Sequence, residues 1–175
     1  MQFDPNVKLT RQNIKELPPL CTDGAWGTEM AKRGGDPGYI CDVWNLERPD
    51  AVFAVAKDYV DAGAQVILTN TFNSNPIALN RHLLANKAAE LNRLGAEISK
   101  RAAKGKAYVF ASIGPCGQMV MMGHIHPAAG EEAAARQAPV LEAGGAAAIV
   151  IETHSDIVEA DGIRTDHAKG CRQPG

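Results

Sequence analysis

Three short apolar runs, at residues 65–70, 107–113 and 146–151, begin about 40 residues apart, and each follows an alanine-rich stretch closed by glycine. A continuous run such as Val66-Ile67-Leu68 suits a strand buried on both faces of a parallel sheet. Parallel neighbours need a crossover of a dozen or more residues, and the alanine-rich stretches supply helices of that length. The spacing therefore predicts an α/β chain of βα repeats with a parallel sheet. A shorter apolar entry at residues 20–22 adds a first strand, which makes about four units.

The helices are marked by their punctuation. Pro49 and Asp50 suit the first turn of a helix, Val52, Val55, Ala56, Tyr59 and Val60 follow at helical spacing, and Gly63 ends it. A second helix is expected over residues 87–104, capped by Asn86, with Leu91, Leu94, Ile98 and Ala102 on one stripe and Gly105 beyond. A third is expected over residues 131–143, and Ser155 can cap a fourth from Asp156. Residues 31–47 hold Gly34, Gly35, Pro37 and Gly38 and read as a long loop without regular structure. Residues 118–130, with Met119, Met121 and Met122, read as another loop.

Each apolar run ends in a short polar motif: Asp23-Gly24-Ala25-Trp26-Gly27-Thr28-Glu29, Leu68-Thr69-Asn70-Thr71-Phe72, Ile113-Gly114-Pro115-Cys116-Gly117 and Ile151-Glu152-Thr153. The first frames a turn between two glycines, where free N–H groups could hold a carboxylate while Asp23 pairs with an ammonium. An ordinary strand-to-loop junction is the plainer reading of that stretch alone. Glu152 ends a strand, where a charge is costly without a partner. Thr69, Asn70 and Thr71 are small hydrogen-bonding groups that either shape a pocket or stabilise the turn. Gly114 and Gly117 read as turn formers.

In this order, the four motifs resemble the homocysteine S-methyltransferase family over residues 18–160. The resemblance implies a parallel (β/α) barrel of TIM type, truncated here to about four βα units, because 175 residues fall short of the about 250 that such a barrel takes. On that reading residues 1–19 form an N-terminal extension, 20–160 the N-terminal half of the barrel and 161–175 an irregular tail. Asp23, Asn70, Gly114 and Glu152 then all stand at strand C-terminal ends, the active-site face of such barrels.

The implied activity is methyl transfer to the thiol of homocysteine, giving methionine. The implied substrate-binding residues are Asp23, Gly24, Ala25, Thr69, Asn70, Thr71 and Glu152, with Asp23 and Glu152 on the amino-acid end. Relatives use zinc to lower the pKa of the thiol, held by a cysteine after the sixth strand and a Cys-Cys pair after the eighth. Those segments have no counterpart in these 175 residues, so the chain is expected to be inactive alone and no zinc ligands are assigned. The methyl donor, whether methyltetrahydrofolate through cobalamin, betaine or S-methylmethionine, is undetermined. A second reading is a non-catalytic half barrel that dimerises through open sheet edges or binds an amino acid weakly. A third is an unrelated (β/α) enzyme using Asp23 and Glu152 as an acid/base pair.

Composition narrows the partners. A net charge of −2 gives no basic face for nucleic acid or an anionic membrane, and no run of 18 apolar residues occurs, so a cytoplasmic protein with a small-molecule substrate is expected. The cysteines at 21, 41, 116 and 171 form no Cys-x-x-Cys pair and read as free thiols. His124 and His126 could share a metal from an extended segment, but no third ligand is evident. His154 is expected as a solvated loop residue, and Cys116 has no sequence neighbour to act as its base.

Overall fold

The computed structural model describes residues 2–36, 40–117, 126–155, 157 and 159–161. Its elements run α1 (Trp26–Lys32), α2 (Trp44–Glu47), α3 (Pro49–Asp61), β1 (Val66–Leu68), α4 (Pro76–Asn80), α5 (Ala88–Ala103), β2 (Tyr108–Ile113), α6 (Pro127–Ala143) and β3 (Ala148–Ile151). The strands form one parallel sheet in the order β1-β2-β3, with Val66 opposite Tyr108 and Phe110 opposite Ala148.

Period-two alternation sends Ile67, Val109, Ala111, Ile113, Ile149 and Ile151 to one face, where α3, α5 and α6 cover them. Ala56 and Val60 of α3 pack with Ala102 and Ala103 of α5 over Ile67 and Val109. Ala96 of α5 and Ala134 and Leu141 of α6 pack over Ala111 and Ile113. Alanine at these contacts brings the helices close to the sheet. The opposite face carries Val66, Tyr108 and Ser112, which are buried, and Leu68, Phe110 and Val150, which are half-buried.

The first expected strand is reduced to a single parallel bridge, Thr22 to Val66, flanked by Gln65 N–H to Cys21 O at 2.8 Å and Asp23 N–H to Val66 O at 2.9 Å. Two features shorten it. Pro18 and Pro19 bring no N–H to the ladder, and the Asp23 carboxylate itself takes the next donor, Leu68 N–H, at 2.7 Å. Residues 2–6 sit at the opposite end of the strands, where Tyr108 Oη donates to Asp4 O at 2.6 Å and Phe3 packs edge-on against Tyr108.

Several local expectations change. Residues 31–47 are not an irregular loop: α1 reaches Lys32, Cys41–Val43 make a 3-10 turn and α2 follows, with Arg48 stacked 3.9 Å over the Trp44 ring. Burial of Met30, Val43 and Trp44 stabilises these short helices despite the nearby glycines. Asn86 does not cap α5, because Ala85–Lys87 form a 3-10 turn and Lys87 takes the N-cap position without a side-chain bond. The third long helix begins earlier than expected, at Pro127, where His126 Nδ1 accepts from Ala128 N–H at 3.3 Å. Residues 157 and 159–161 are helical, while Asp156, His124, the methionines at 119, 121 and 122 and the tail beyond 161 lie outside the described residues.

Candidate functional site

The C-terminal ends of the strands gather the motifs. Asp23 leaves the Thr22 bridge, and its Oδ2 accepts from Leu68 N–H and Trp26 Nε1–H, each at 2.7 Å. Burial raises the Asp23 carboxyl above its ordinary range, those two hydrogen bonds pull it back, and the Glu152 charge nearby adds to the rise. The chain then enters α1 directly, so the glycines do not frame an isolated turn. Gly24 lies against Tyr59, whose Oη donates to Ala25 O at 3.3 Å. Ala25 takes the N-cap position of α1, leaving the N–H groups of that first turn without intrahelical partners.

Glu152 follows β3 and is half-buried, its N–H donating to Ile113 O at 3.1 Å. Its Oε1 accepts a short hydrogen bond from Ser112 Oγ. Ser112 lies on β2 directly before the Ile-Gly-Pro-Cys-Gly motif and was not among the residues marked by sequence. Its signal was a polar residue inside an otherwise apolar strand.

The three residues after β1 are inward-facing but differ in what they hold. Thr69 Oγ1 accepts from Ser112 N–H at 3.1 Å, and Thr71 Oγ1 donates to Ser112 O at 2.8 Å. Asn70 turns elsewhere: its amide donates to Cys41 O at 2.9 Å and Asn45 Oδ1 at 3.0 Å, while Asn45 returns a bond to Asn70 O at 2.8 Å. Asn70 thereby ties the segment before α2 to the strand end. Gly114 permits a close crossing of loops, since a Cβ there would lie 2.6 Å from the Phe72 ring and 2.7 Å from Phe72 O.

Two further carboxylates support the loops. Asp42 is fully buried and accepts from Asn73 N–H at 2.8 Å and Ser74 Oγ at 2.7 Å, and burial pushes its pKa up to about 6. Glu159 accepts from Cys116 N–H at 2.7 Å and stands 3.3 Å from His154 Nδ1. Burial alone would raise Glu159, but the His154 and Cys116 contacts outweigh it and hold the carboxyl below its ordinary range. The His154 side chain is 4% exposed, so it is not a solvated loop residue. Cys116 does gain an acidic neighbour in Glu159, yet burial first and that neighbour second push its thiol up to about 12, far from a nucleophile.

Among the described residues no group of three or more His, Cys, Asp or Glu side chains is placed to hold a metal ion, with Cys21 exposed, Cys41 half-buried and Cys116 buried. These residues therefore do not fit the zinc that the motifs imply. Among the described residues, no helix is long and apolar enough to cross a membrane.

Known proteins are similar to this chain in sequence and in fold. Methionine synthase of Mycobacterium tuberculosis is 32% identical over 150 residues, 78% of this chain and 12% of that protein. Methionine synthase of Mycobacterium leprae is 31% identical over 167 residues, 87% of this chain and 14% of that protein. The chain thus spans about an eighth of the length of these relatives. Among solved structures, the metallated form of the Escherichia coli homocysteine methyltransferase MmuM superposes with a TM-score of 0.77 at 21% identity, covering 90% of this chain and 62% of that one. Its oxidized form gives 0.75 at 22% identity, over 86% and 58%. The homocysteine S-methyltransferase family model matches residues 20–173, past the end of the four motifs, and the chain belongs to that family.

Proposed function

We propose that this chain binds the amino-acid end of homocysteine for methyl transfer to its sulfur, giving methionine. The observation that carries the reading is the placement of Asp23 and Glu152 at the C-terminal ends of the two outer segments of one sheet, β1 and β2 lying between, where the Glu152 charge still raises the Asp23 carboxyl. Two carboxylates sharing a site repel each other, and a substrate ammonium relieves that repulsion. The N–H groups of Gly24 and Ala25 are the candidates for the substrate carboxylate. Thr69, Asn70 and Thr71 shape the floor.

The fold supports the same reading. Helices on one face and a half-exposed opposite face are what part of a (β/α) barrel of TIM type presents. In that architecture the chain supplies about four βα units, with residues 1–19 at the strands' N-terminal ends. Zinc, when bound, would supply a thiolate at neutral pH. No set of described side chains suits it, and the chain by itself is read as inactive in methyl transfer. The expected setting is the cytoplasm.

The test is zinc content together with methyl transfer from S-methylmethionine, betaine and a methylcobalamin donor to homocysteine by the purified chain. Absence of turnover with all three agrees with a chain inactive by itself. Stoichiometric zinc with turnover would overturn that inactivity and leave the homocysteine reading standing, whereas absence of homocysteine binding would overturn the reading itself.

A further inference from the structure

Ser112 is 2% exposed, and three of its polar atoms are engaged at the strand ends. Its N–H donates to Thr69 Oγ1 at 3.1 Å, its carbonyl accepts from Thr71 Oγ1 at 2.8 Å, and its Oγ donates to Glu152 Oε1. The two threonine oxygens are 2.5 Å apart. The Thr71 hydrogen is already on Ser112 O, so the hydrogen between the two hydroxyls belongs to Thr69. The three residues close a ring in which both threonine donors are spent. Neither hydroxyl has a hydrogen left for a ligand, and both side chains are buried.

The ring has one outlet. A serine hydroxyl rotates freely unless its backbone and acceptor fix it, and here the backbone of Ser112 is clamped on both sides by threonine side chains. The hydroxyl hydrogen then points to the carboxyl group of Glu152, directly after the next strand. Among the described residues no hydrogen bond is made to the other carboxylate oxygen, Oε2.

We infer that Thr69, Thr71 and Ser112 are positioning residues for Glu152: the ring fixes Ser112, and the Ser112 hydroxyl anchors one carboxylate oxygen so that the other meets the ammonium of an amino-acid ligand. The inference rests on the reading of Glu152 as the partner of the substrate amine. It also changes the part of the threonines, which act through Ser112 rather than by touching substrate.

The test is binding of homocysteine and of 4-mercaptobutanoate, the same molecule without its amine, to the full chain and its variants by ligand-observed NMR. Ser112→Ala is expected to weaken homocysteine roughly threefold to tenfold while 4-mercaptobutanoate stays within about twofold, the range for one ordinary hydrogen bond, because the lost bond orients Glu152 rather than holding the ligand itself. In a Glu152→Gln background the same change is expected to do nothing more. Equal weakening of both ligands, or an effect that adds to Glu152→Gln, would overturn the inference and leave the substrate reading standing. If Glu152→Gln itself leaves the preference for homocysteine untouched, the substrate reading falls, and this inference with it. Should Ser112→Ala not fold, Thr71→Val breaks the ring instead and is expected to give the same selective loss. Thr71→Ser is expected to restore the preference, and its failure to do so while folded would count against the ring.

Discussion

Gly95 of α5 faces Thr71 so closely that a Cβ on the glycine would lie 2.5 Å from Thr71 Cγ2 and 2.7 Å from Asn45 Nδ2. The helix is pressed onto the strand ends at the point where Asn70, Asn45 and Thr71 form their bonds. Glycine within a helix ordinarily costs about 1 kcal/mol relative to alanine, so replacing it normally stabilises. Here the sign reverses. Gly95→Ala is expected to destabilise by about 1 to 3 kcal/mol through overpacking. Gly27→Ala in α1, where nothing lies within 4 Å, is expected to be neutral or stabilising by up to about 1 kcal/mol. Urea midpoints of the two variants check the pair, and a stabilised Gly95→Ala would contradict the close approach.

Asp42 gives stability a specific dependence on pH. Its folded-state pKa is raised from 3.8 to about 6 by burial, so the folded protein holds this proton more tightly than the unfolded chain. The favourable contribution is fully present below the unfolded value of 3.8 and is lost as pH rises through the folded value of about 6. Asp42→Asn keeps an acceptor for Asn73 N–H and Ser74 Oγ without the titration. Between pH 4 and 6 the parent is therefore expected to lose about 2 kcal/mol relative to this variant. Denaturation curves across that window measure it, and parallel stability profiles would rule out a buried ionising Asp42.

Cysteine reactivity separates the thiols. Cys116 is buried with its pKa pushed up to about 12, which leaves roughly one molecule in ten thousand as thiolate at pH 8. Cys21 is exposed. Brief alkylation followed by peptide mass mapping is expected to mark Cys21 and spare Cys116 until the chain is unfolded. Labelling of both at similar rates in the folded state would mean that the Glu159 and Arg81 contacts around the Cys116 backbone do not hold its loop shut.

Much of this architecture was legible because parallel strands and their helices leave strong periodic signals. Val66 to Leu68, residues 107–113 and residues 146–151 announced the sheet, and Pro49 and Gly63 bracketed α3 as observed. What was not legible depends on contacts distant in sequence. The first strand contracts to one bridge because the Asp23 side chain takes a donor from Leu68, 45 residues away. α1 and α2 form among glycines because α3 and α5 cover Met30 and Trp44. At the site, Asp23 and Glu152 stood out as acids at strand ends, whereas Ser112 was hidden in an apolar strand and the burial of Asp42, His154 and Glu159 appears only in three dimensions.

The measurement that reaches the central claim most directly is calorimetric or NMR titration of homocysteine into the parent chain, Asp23→Asn and Glu152→Ala. The account predicts binding by the parent that strengthens as pH rises through the raised Asp23 pKa, because only the ionised carboxyl attracts an ammonium. Asp23→Asn is expected to flatten that dependence. Glu152→Ala is expected to weaken binding by about 1.5 to 3 kcal/mol, roughly tenfold to a hundredfold, the range for a hydrogen bond to a charged group. No binding by the parent, or equal affinities in all three proteins, would contradict the assignment of the strand-end carboxylates to the substrate amine.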